Sequence, residues 1–271
     1  MTNRNHQSAK TMNALLIVRL LLAHILGDFL LQTKGMCEGK KAVTTWKGWK
    51  YQLAHAFIYT AAVYVLVAQW GCWALLLLIW GTHFAVDVAK AFVERQMRAA
   101  DREKGKVGEE NKRLVNRPKL LLFVLDQIFH LSVLAVAYFW LLDGKGMPLD
   151  FNLLELGIYA LAYLSVLTPT AVFIQNFFSG LDGSKDKKSL PLGGMYIGYL
   201  ERILIVSFIL SGWMEGIGYL LAAKSVFRFG ELRNNKELMH TEYILLGTFL
   251  SFTVAVVVGL LAHRVLEGLI P

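Results

Sequence analysis

Residues 72–92 read Cys72-Trp-Ala-Leu-Leu-Leu-Leu-Ile-Trp-Gly-Thr-His83-Phe-Ala-Val-Asp87-Val-Ala-Lys90-Ala-Phe92, an apolar run that carries a histidine and an aspartate four residues apart. An α-helix needs about 20 apolar residues to cross the hydrocarbon of a bilayer. Four-residue spacing places His83 and Asp87 on one helix face, a single turn apart. The run therefore predicts a membrane helix with an inward polar face, because ionisable groups inside a bilayer are costly and turn toward the protein interior.

Comparable runs cover residues 12–31, 52–69, 119–142, 152–176, 192–212, 215–229 and 241–262. The chain has 271 residues, 55% of them hydrophobic and only 18% charged, with a mean hydropathy of +0.46. These values exclude an ordinary soluble domain and predict an all-α, polytopic transmembrane helical bundle of about eight helices. The seventh run is short and holds Lys224 and Arg228, so it is also suited to a re-entrant or interfacial position. The first run lacks a small-residue cleavage site and carries His24 and Asp28 at its far end, so it reads as a mature helix. Arg19 in that run is expected to snorkel outward or to pair within the bundle.

Basic residues give an orientation. Residues 33–50, 93–119, 179–191 and 228–240 hold 5, 9, 3 and 3 lysines and arginines. The opposite side holds only Arg4, Lys10, Lys145 and Arg264. The four basic loops are expected in the cytoplasm, with the chain multi-pass in a bacterial inner membrane. The net charge of +8 then reflects loops beside anionic lipid and calls for no nucleic-acid partner. Cys37 and Cys72 fall on opposite sides of the predicted membrane, which leaves no disulfide and no thiolate metal site.

The polar turn Asp143-Gly-Lys-Gly-Met-Pro148 divides the chain into a first half, 1–142, and a second half, 143–271, of unassigned role. The first half contains every intramembrane histidine: His24 with Asp28, His55, His83 with Asp87, and Asp126 with His130. On the predicted topology all seven residues lie in the cytoplasmic half of their helices at similar depth. Four successive helices can therefore converge on one polar site.

Imidazole and carboxylate together suit zinc first, with manganese, iron or nickel as alternatives. His24, Asp28, His55, His83, Asp87, Asp126 and His130 form the candidate ligand set for one or two divalent ions. Seven candidates exceed the needs of a mononuclear zinc site. Either two ions share a bridging carboxylate, or one is bound and the other groups orient ligands and move protons. Asp28, Asp87 and Asp126 are the candidates for catalytic proton transfer. Gln32 and Lys90 extend two of the helix faces. Gln32 is placed to hold a ligand carboxylate, and Lys90 either to contact an anionic substrate or to snorkel.

In the second half Glu201 and Lys224 are expected to pair between helices, and Arg202 and Arg228 to meet lipid headgroups. Thr168-Pro169 is expected to kink the fifth run, with neighbours satisfying the freed backbone groups.

The run His24-Ile-Leu-Gly-Asp28-Phe-Leu-Leu-Gln32, His55, His83-Phe-Ala-Val-Asp87-Val-Ala-Lys90 and Asp126-Gln-Ile-Phe-His130 resembles the domain-of-unknown-function 3307 family of bacterial multi-pass membrane proteins. That resemblance covers the first half and implies no reaction. A looser likeness to membrane-bound metal-dependent hydrolases implies hydrolysis of a lipid-linked or membrane-accessible ester, with membrane lipids as the surroundings and a phosphoester preferred. The alternatives are a divalent-metal or proton transporter or channel, and a non-catalytic scaffold or sensor stabilised by metal. Oligomeric state is not legible.

Overall fold

The computed structural model describes residues 2–68, 70–104, 117–142, 151–178, 193–229 and 238–269, with side chains over 13–68, 70–100, 119–141, 152–178, 193–226 and 245–269. Residues 105–116, 179–192 and 230–237, the turn expected at 143–148, and the side chain of Arg228 lie outside the described residues. Every described element is helical: α1 (Thr2–Ile25), a π-helical turn (Leu26–Leu30), α2 (Lys34–Gly39), α3 (Trp46–Val67), α4 (Trp73–Lys104), α5 (Arg117–Leu142), α6 (Phe151–Val166), α7 (Thr168–Phe178), α8 (Gly193–Leu210), α9 (Glu215–Phe229) and α10 (Leu238–Leu269).

Among the described residues, six stretches are long and apolar enough to cross a membrane: Asn13–Leu30, Trp73–Ala100, Lys119–Leu141, Asn152–Phe178, Gly193–Leu210 and Leu245–Leu269. Large apolar side chains such as Phe57, Leu77, Phe129, Leu200 and Leu261 face outward, where lipid rather than water accounts for their exposure. The chain is an all-α polytopic membrane bundle. The two remaining expected spans fall short for different reasons. The helix α3 has the length, but Gln52, His55 and three tyrosines lower its hydropathy. The helix α9 has 15 residues, a length of about 22 Å, less than the hydrocarbon thickness.

The chain divides into two compact units, Met1–Gly157 and Ile158–Pro271. In the first, α1, α3, α4 and α5 each contribute an apolar stripe at helical spacing. Leu16, Leu20 and Ala23 meet Val63 and Val67, Leu75 and Ile79, and Leu134, Ala137 and Leu141. This cluster fills the end of the bundle at which the chain turns from α3 into α4. The polar residues of the same helices lie at the other end.

The polar end is shaped by two local devices. The helix α1 widens into the π turn, where the Leu31 amide donates to the Leu26 carbonyl across five residues at 2.8 Å. Such widened turns recur at functional sites because they re-aim side chains. Gly27 within it lies against α3, and a Cβ there would stand 2.6 Å from Tyr59 Cδ2 and 3.3 Å from its Cα. Gly27→Ala is therefore expected to destabilise the protein by about 1–3 kcal/mol, since neither helix backbone can give way cheaply. Thermal unfolding in detergent checks this, and an unchanged melting temperature would show that the two helices separate freely.

The second device is the strap between α1 and α3. Thr33 Oγ1 accepts from the Met36 amide and caps α2, and Thr45 Oγ1 accepts from the Gly48 amide and caps α3. Gly48 lets the strap lie directly on α3, because a Cβ there would meet the Ala42 carbonyl oxygen at 2.0 Å. This fold-back returns Lys40 toward α4.

In the second unit the expected break falls at Leu167, between α6 and α7. Pro169 has no amide to donate, which frees carbonyls of the preceding turn. Thr170 Oγ1 donates to the Ser165 carbonyl at 2.8 Å, and Arg202 Nε donates to the Val166 carbonyl. Arg202 Nη1 also donates to Ser251 Oγ at 2.8 Å, and the residue is 3% exposed. The headgroup role expected for Arg202 is thus corrected: a buried carbonyl at the helix break holds the guanidinium inside. Lys224 of α9 pairs with Glu201 of α8 at 2.6 Å, as the sequence predicts. Gly212, with φ of +75°, closes α8 in the left-handed conformation that glycine adopts without penalty. No disulfide joins Cys37 and Cys72.

Candidate metal centre

Four helices and the strap bring the polar residues of the first unit together. His24 comes from α1, Asp28 from the π turn, His55 from α3, His83 and Asp87 from α4, and Asp126 and His130 from α5. All four histidines, Asp87 and Asp126 are less than 9% exposed.

At the centre, His55 Nε2 and His83 Nε2 stand 3.0 Å apart. Asp28 Oδ1 lies 3.4 Å from the first and 3.5 Å from the second. Donors held about 2.0–2.1 Å from a tetrahedral ion are separated by about 3.3 Å. The three edges of this triangle match that separation. Asp87 Oδ2 approaches two of the three, 3.4 Å from His55 Nε2 and 3.8 Å from His83 Nε2. Asp28, His55 and His83 form one group that could hold a metal ion, and His83, Asp87 and His130 form a second that shares His83.

Unsatisfied groups point to the same place. Among the described residues, the buried side-chain polar atoms without a hydrogen-bond partner are Asp28 Oδ1, Gln52 Oε1, His55 Nδ1, His83 Nδ1, Asp126 Oδ1 and His130 Nε2. All belong to this cluster or border it. Buried polar atoms are nearly always paired, so a concentration of unpaired ones calls for an ion or water as partner. The donor chemistry and spacing fit a divalent metal.

The surrounding groups orient the candidate ligands. Tyr59 stacks on the His83 ring, with centroids 3.8 Å apart and planes 13° apart. Its hydroxyl lies 3.3 Å from His24 Nδ1. His24 Nε2 is 3.1 Å from Gln127 Oε1, and Gln127 Nε2 donates to Asp126 Oδ2 at 3.2 Å. Lys40 donates to Asp87 Oδ2 and Lys90 to Asp126 Oδ2, each at 2.6 Å. With its amide oriented to suit its neighbours, Gln32 donates to the Asp28 carbonyl at 3.0 Å and accepts from Lys40 Nζ at 2.5 Å. A cleft between α3, α4 and α5, lined by Tyr59, Thr82, His83 and His130 and with room for about one water, borders the His83 and His130 side of the cluster.

Five of the seven sequence-derived candidates (Asp28, His55, His83, Asp87 and His130) fall in the two groups. His24 and Asp126 stand beside them with other partners. His24 Nδ1 is 3.6 Å from Asp28 Oδ2, and His130 Nδ1 faces the Asp126 carbonyl at 2.7 Å. Snorkelling of Lys90 is corrected, because Asp126 on the neighbouring helix captures its ammonium. Lys40, Gln52, Tyr59 and Gln127 were not singled out by sequence. Gln52, His55 and Tyr59 share one face of α3 at spacings of three and four, a signal available for two of these.

No curated protein and no solved structure matches the chain, so comparison lends no support to the likeness with metal-dependent hydrolases. A match to the family described as "Protein of unknown function (DUF3307)" spans residues 16–152 and encloses every residue of the candidate centre. With half of its length inside that match, and the centre wholly within it, the chain belongs to the DUF3307 family.

Proposed function

We propose that this protein is a membrane-embedded, metal-dependent hydrolase whose substrate is a lipid-linked or membrane-accessible ester, with a phosphoester preferred. The observation that carries the metal reading is the triangle of His55 Nε2, His83 Nε2 and Asp28 Oδ1 at ion-ligand spacing, whose Asp28 corner is buried with no hydrogen-bond partner. Mixed imidazole and carboxylate donors, with space for a water beside His83 and His130, suit an open catalytic site better than a closed structural one. Zinc is the first candidate ion.

A divalent ion supplies Lewis-acid polarisation of the scissile group and an acidified water. The protein supplies the rest. His55, His83 and Asp28 would hold the ion, and Lys40 fixes the Asp87 carboxylate beside His55 and His83. Tyr59 keeps the His83 ring in place by stacking. Asp126 has one oxygen fixed by Lys90 and the other buried and unpaired, which makes it the carboxylate available to move a proton beside His130. The basic loops set this end of the bundle toward the cytoplasm of a bacterial inner membrane.

The runner-up reading is a transporter or channel. A polar chain does cross the unit, from Lys40 through Asp87, the histidines and Gln127 to Asp126 and Lys90. It remains at one level, however, and the apolar cluster of Leu16, Leu20, Val63, Leu75 and Leu134 closes the other end. That arrangement favours a site over a path.

Elemental analysis of purified protein is expected to find about one divalent ion per chain, together with chelator-sensitive hydrolysis of a model phosphoester. Absence of metal, with no change in melting temperature on adding zinc or manganese, would sink the reading. Metal-dependent flux into proteoliposomes without ester turnover would favour transport. Metal that stabilises the bundle with neither activity would make the protein a scaffold or sensor.

A further inference from the structure

The two groups that could hold an ion meet at one residue. The His83 ring packs against both His55 and His130, with centroids 4.9 Å and 4.4 Å apart. Asp28 and His55 complete one group, and Asp87 and His130 complete the other.

The groups differ in fit and in surroundings. The triangle has edges of 3.0, 3.4 and 3.5 Å, close to the spacing of donors around one ion. The second group is looser. Its ligand atoms lie within 4.8 Å of one another, Asp87 Oδ2 is 3.8 Å from His83 Nε2, and that oxygen also accepts from Lys40 at 2.6 Å. An ion there must draw its donors inward, which makes this the weaker position.

Two observations nevertheless prepare it for metal. His130 Nδ1 donates to the Asp126 carbonyl at 2.7 Å, the outer contact that commonly orients a ligating imidazole. The other ring nitrogen, His130 Nε2, is buried and has no hydrogen-bond partner among the described residues. The cleft with room for about one water is lined by His83 and His130 and by none of the other candidate ligands. Water therefore has space beside the looser group and not beside the triangle.

We infer that one ion has two seats pivoting on His83: a closed seat on Asp28, His55 and His83, and an open seat on His83, Asp87 and His130, where it meets water from the cleft. This rests on the metal reading above and adds the position in which the ion becomes accessible. Both seats need His83, so they are occupied one at a time. Moving the ion exchanges Asp28 and His55 for Asp87 and His130 while His83 remains a ligand.

Exclusive seats have a signature that a single site lacks, because the tighter seat sets the measured affinity. Damage to the weaker seat stays silent until the tighter one is damaged. Phenylalanine replaces either histidine with a ring that fills the space but cannot ligate. His130→Phe is expected to leave zinc affinity within about twofold of the parent protein. His55→Phe is expected to cost about tenfold, since the ion retreats to the open seat. Adding His130→Phe to His55→Phe is expected to cost about a further tenfold or more.

The test uses the full chain in detergent, competed against a chelator of known zinc affinity, with zinc content measured on the same samples. Water-proton relaxation by bound manganese reports water on the ion, and it is expected to be stronger in His55→Phe than in His130→Phe. If His130→Phe weakens zinc binding equally in both backgrounds, all the donors serve one seat and the inference is overturned. No effect of His130→Phe in either background removes the open seat. Two zinc ions per chain would show that the seats are not exclusive. Relaxation no stronger in His55→Phe than in His130→Phe overturns the access of water. Should His55→Phe fail to fold, Asp28→Asn damages the same seat and is expected to give the same pattern. If no sample binds zinc, the inference falls with the metal reading, and the elemental analysis shows which has failed.

Discussion

His83→Ala is expected to strip the protein of metal, whereas His24→Ala leaves most of it bound. His83 belongs to both groups that could hold an ion, and its Nε2 lies 3.0 Å from His55 Nε2. A structural zinc site is worth about 10–16 kcal/mol over four ligands, or roughly 3–4 kcal/mol for each. Losing one ligand then weakens binding by about 10²–10³-fold. His24 belongs to neither group and acts through Tyr59 and Gln127, so its loss is expected to cost about tenfold, the lower end for a residue that orients ligands. Competition of each variant against a chelator of known zinc affinity measures both. Equal losses for the two would mean that the ion sits nearer α1 than the triangle of donor atoms indicates.

The contrast between these histidines also shows what sequence can and cannot deliver. Spacing identified the residues, since a pair four apart in an apolar run has few other uses, and charge counting brought the pairs to one level. Spacing cannot rank the residues, because His24 and His83 each sit four positions before an aspartate. What separates them is tertiary: the π turn shifts Asp28 toward His55 and His83, and Gln127 arrives from another helix to occupy His24. Lys40 was illegible for a similar reason. It lies in a basic loop like the others, and only the packing of Gly48 on Ala42 folds that loop back over Asp87. Arg202 was misread toward lipid, and lipid was one of the two readings left open for Lys90, because snorkelling is the default for a lone cation near a membrane surface. Each instead meets an acceptor created by the fold, a carboxylate on α5 for Lys90 and the carbonyl freed by Pro169 for Arg202. Six of the eight expected spans were legible, because length and apolarity decide them with no reference to tertiary contacts, while α3 falls short in apolarity and α9 in length.

The same logic of buried charge governs the second unit, where stability rather than ligand binding is at stake. Lys224→Met is expected to destabilise this unit strongly, and the double variant Lys224→Met with Glu201→Gln to recover most of the loss. Glu201 is 8% exposed and Lys224 Nζ lies 2.6 Å from its Oε2. Removing one member of a buried ion pair leaves the other uncompensated, at a cost of about 3–5 kcal/mol when both are fully buried. The Lys224 side chain is 25% exposed, so solvent and headgroups screen part of this, and about 2 kcal/mol is the better expectation. Glutamine at 201 carries no charge and removes the need for a partner. The neighbouring arginine is a control on the same helix: Arg202 donates to Val166 and Ser251, neither of which is charged, and its loss is not rescued by Glu201→Gln. Melting temperatures of the two single variants, the double and Arg202→Met decide the matter. If the double variant is no more stable than Lys224→Met alone, the lysine does not act through its pairing with Glu201, and the approach of its ammonium to the Phe252 ring at 5.4 Å is the contact that matters.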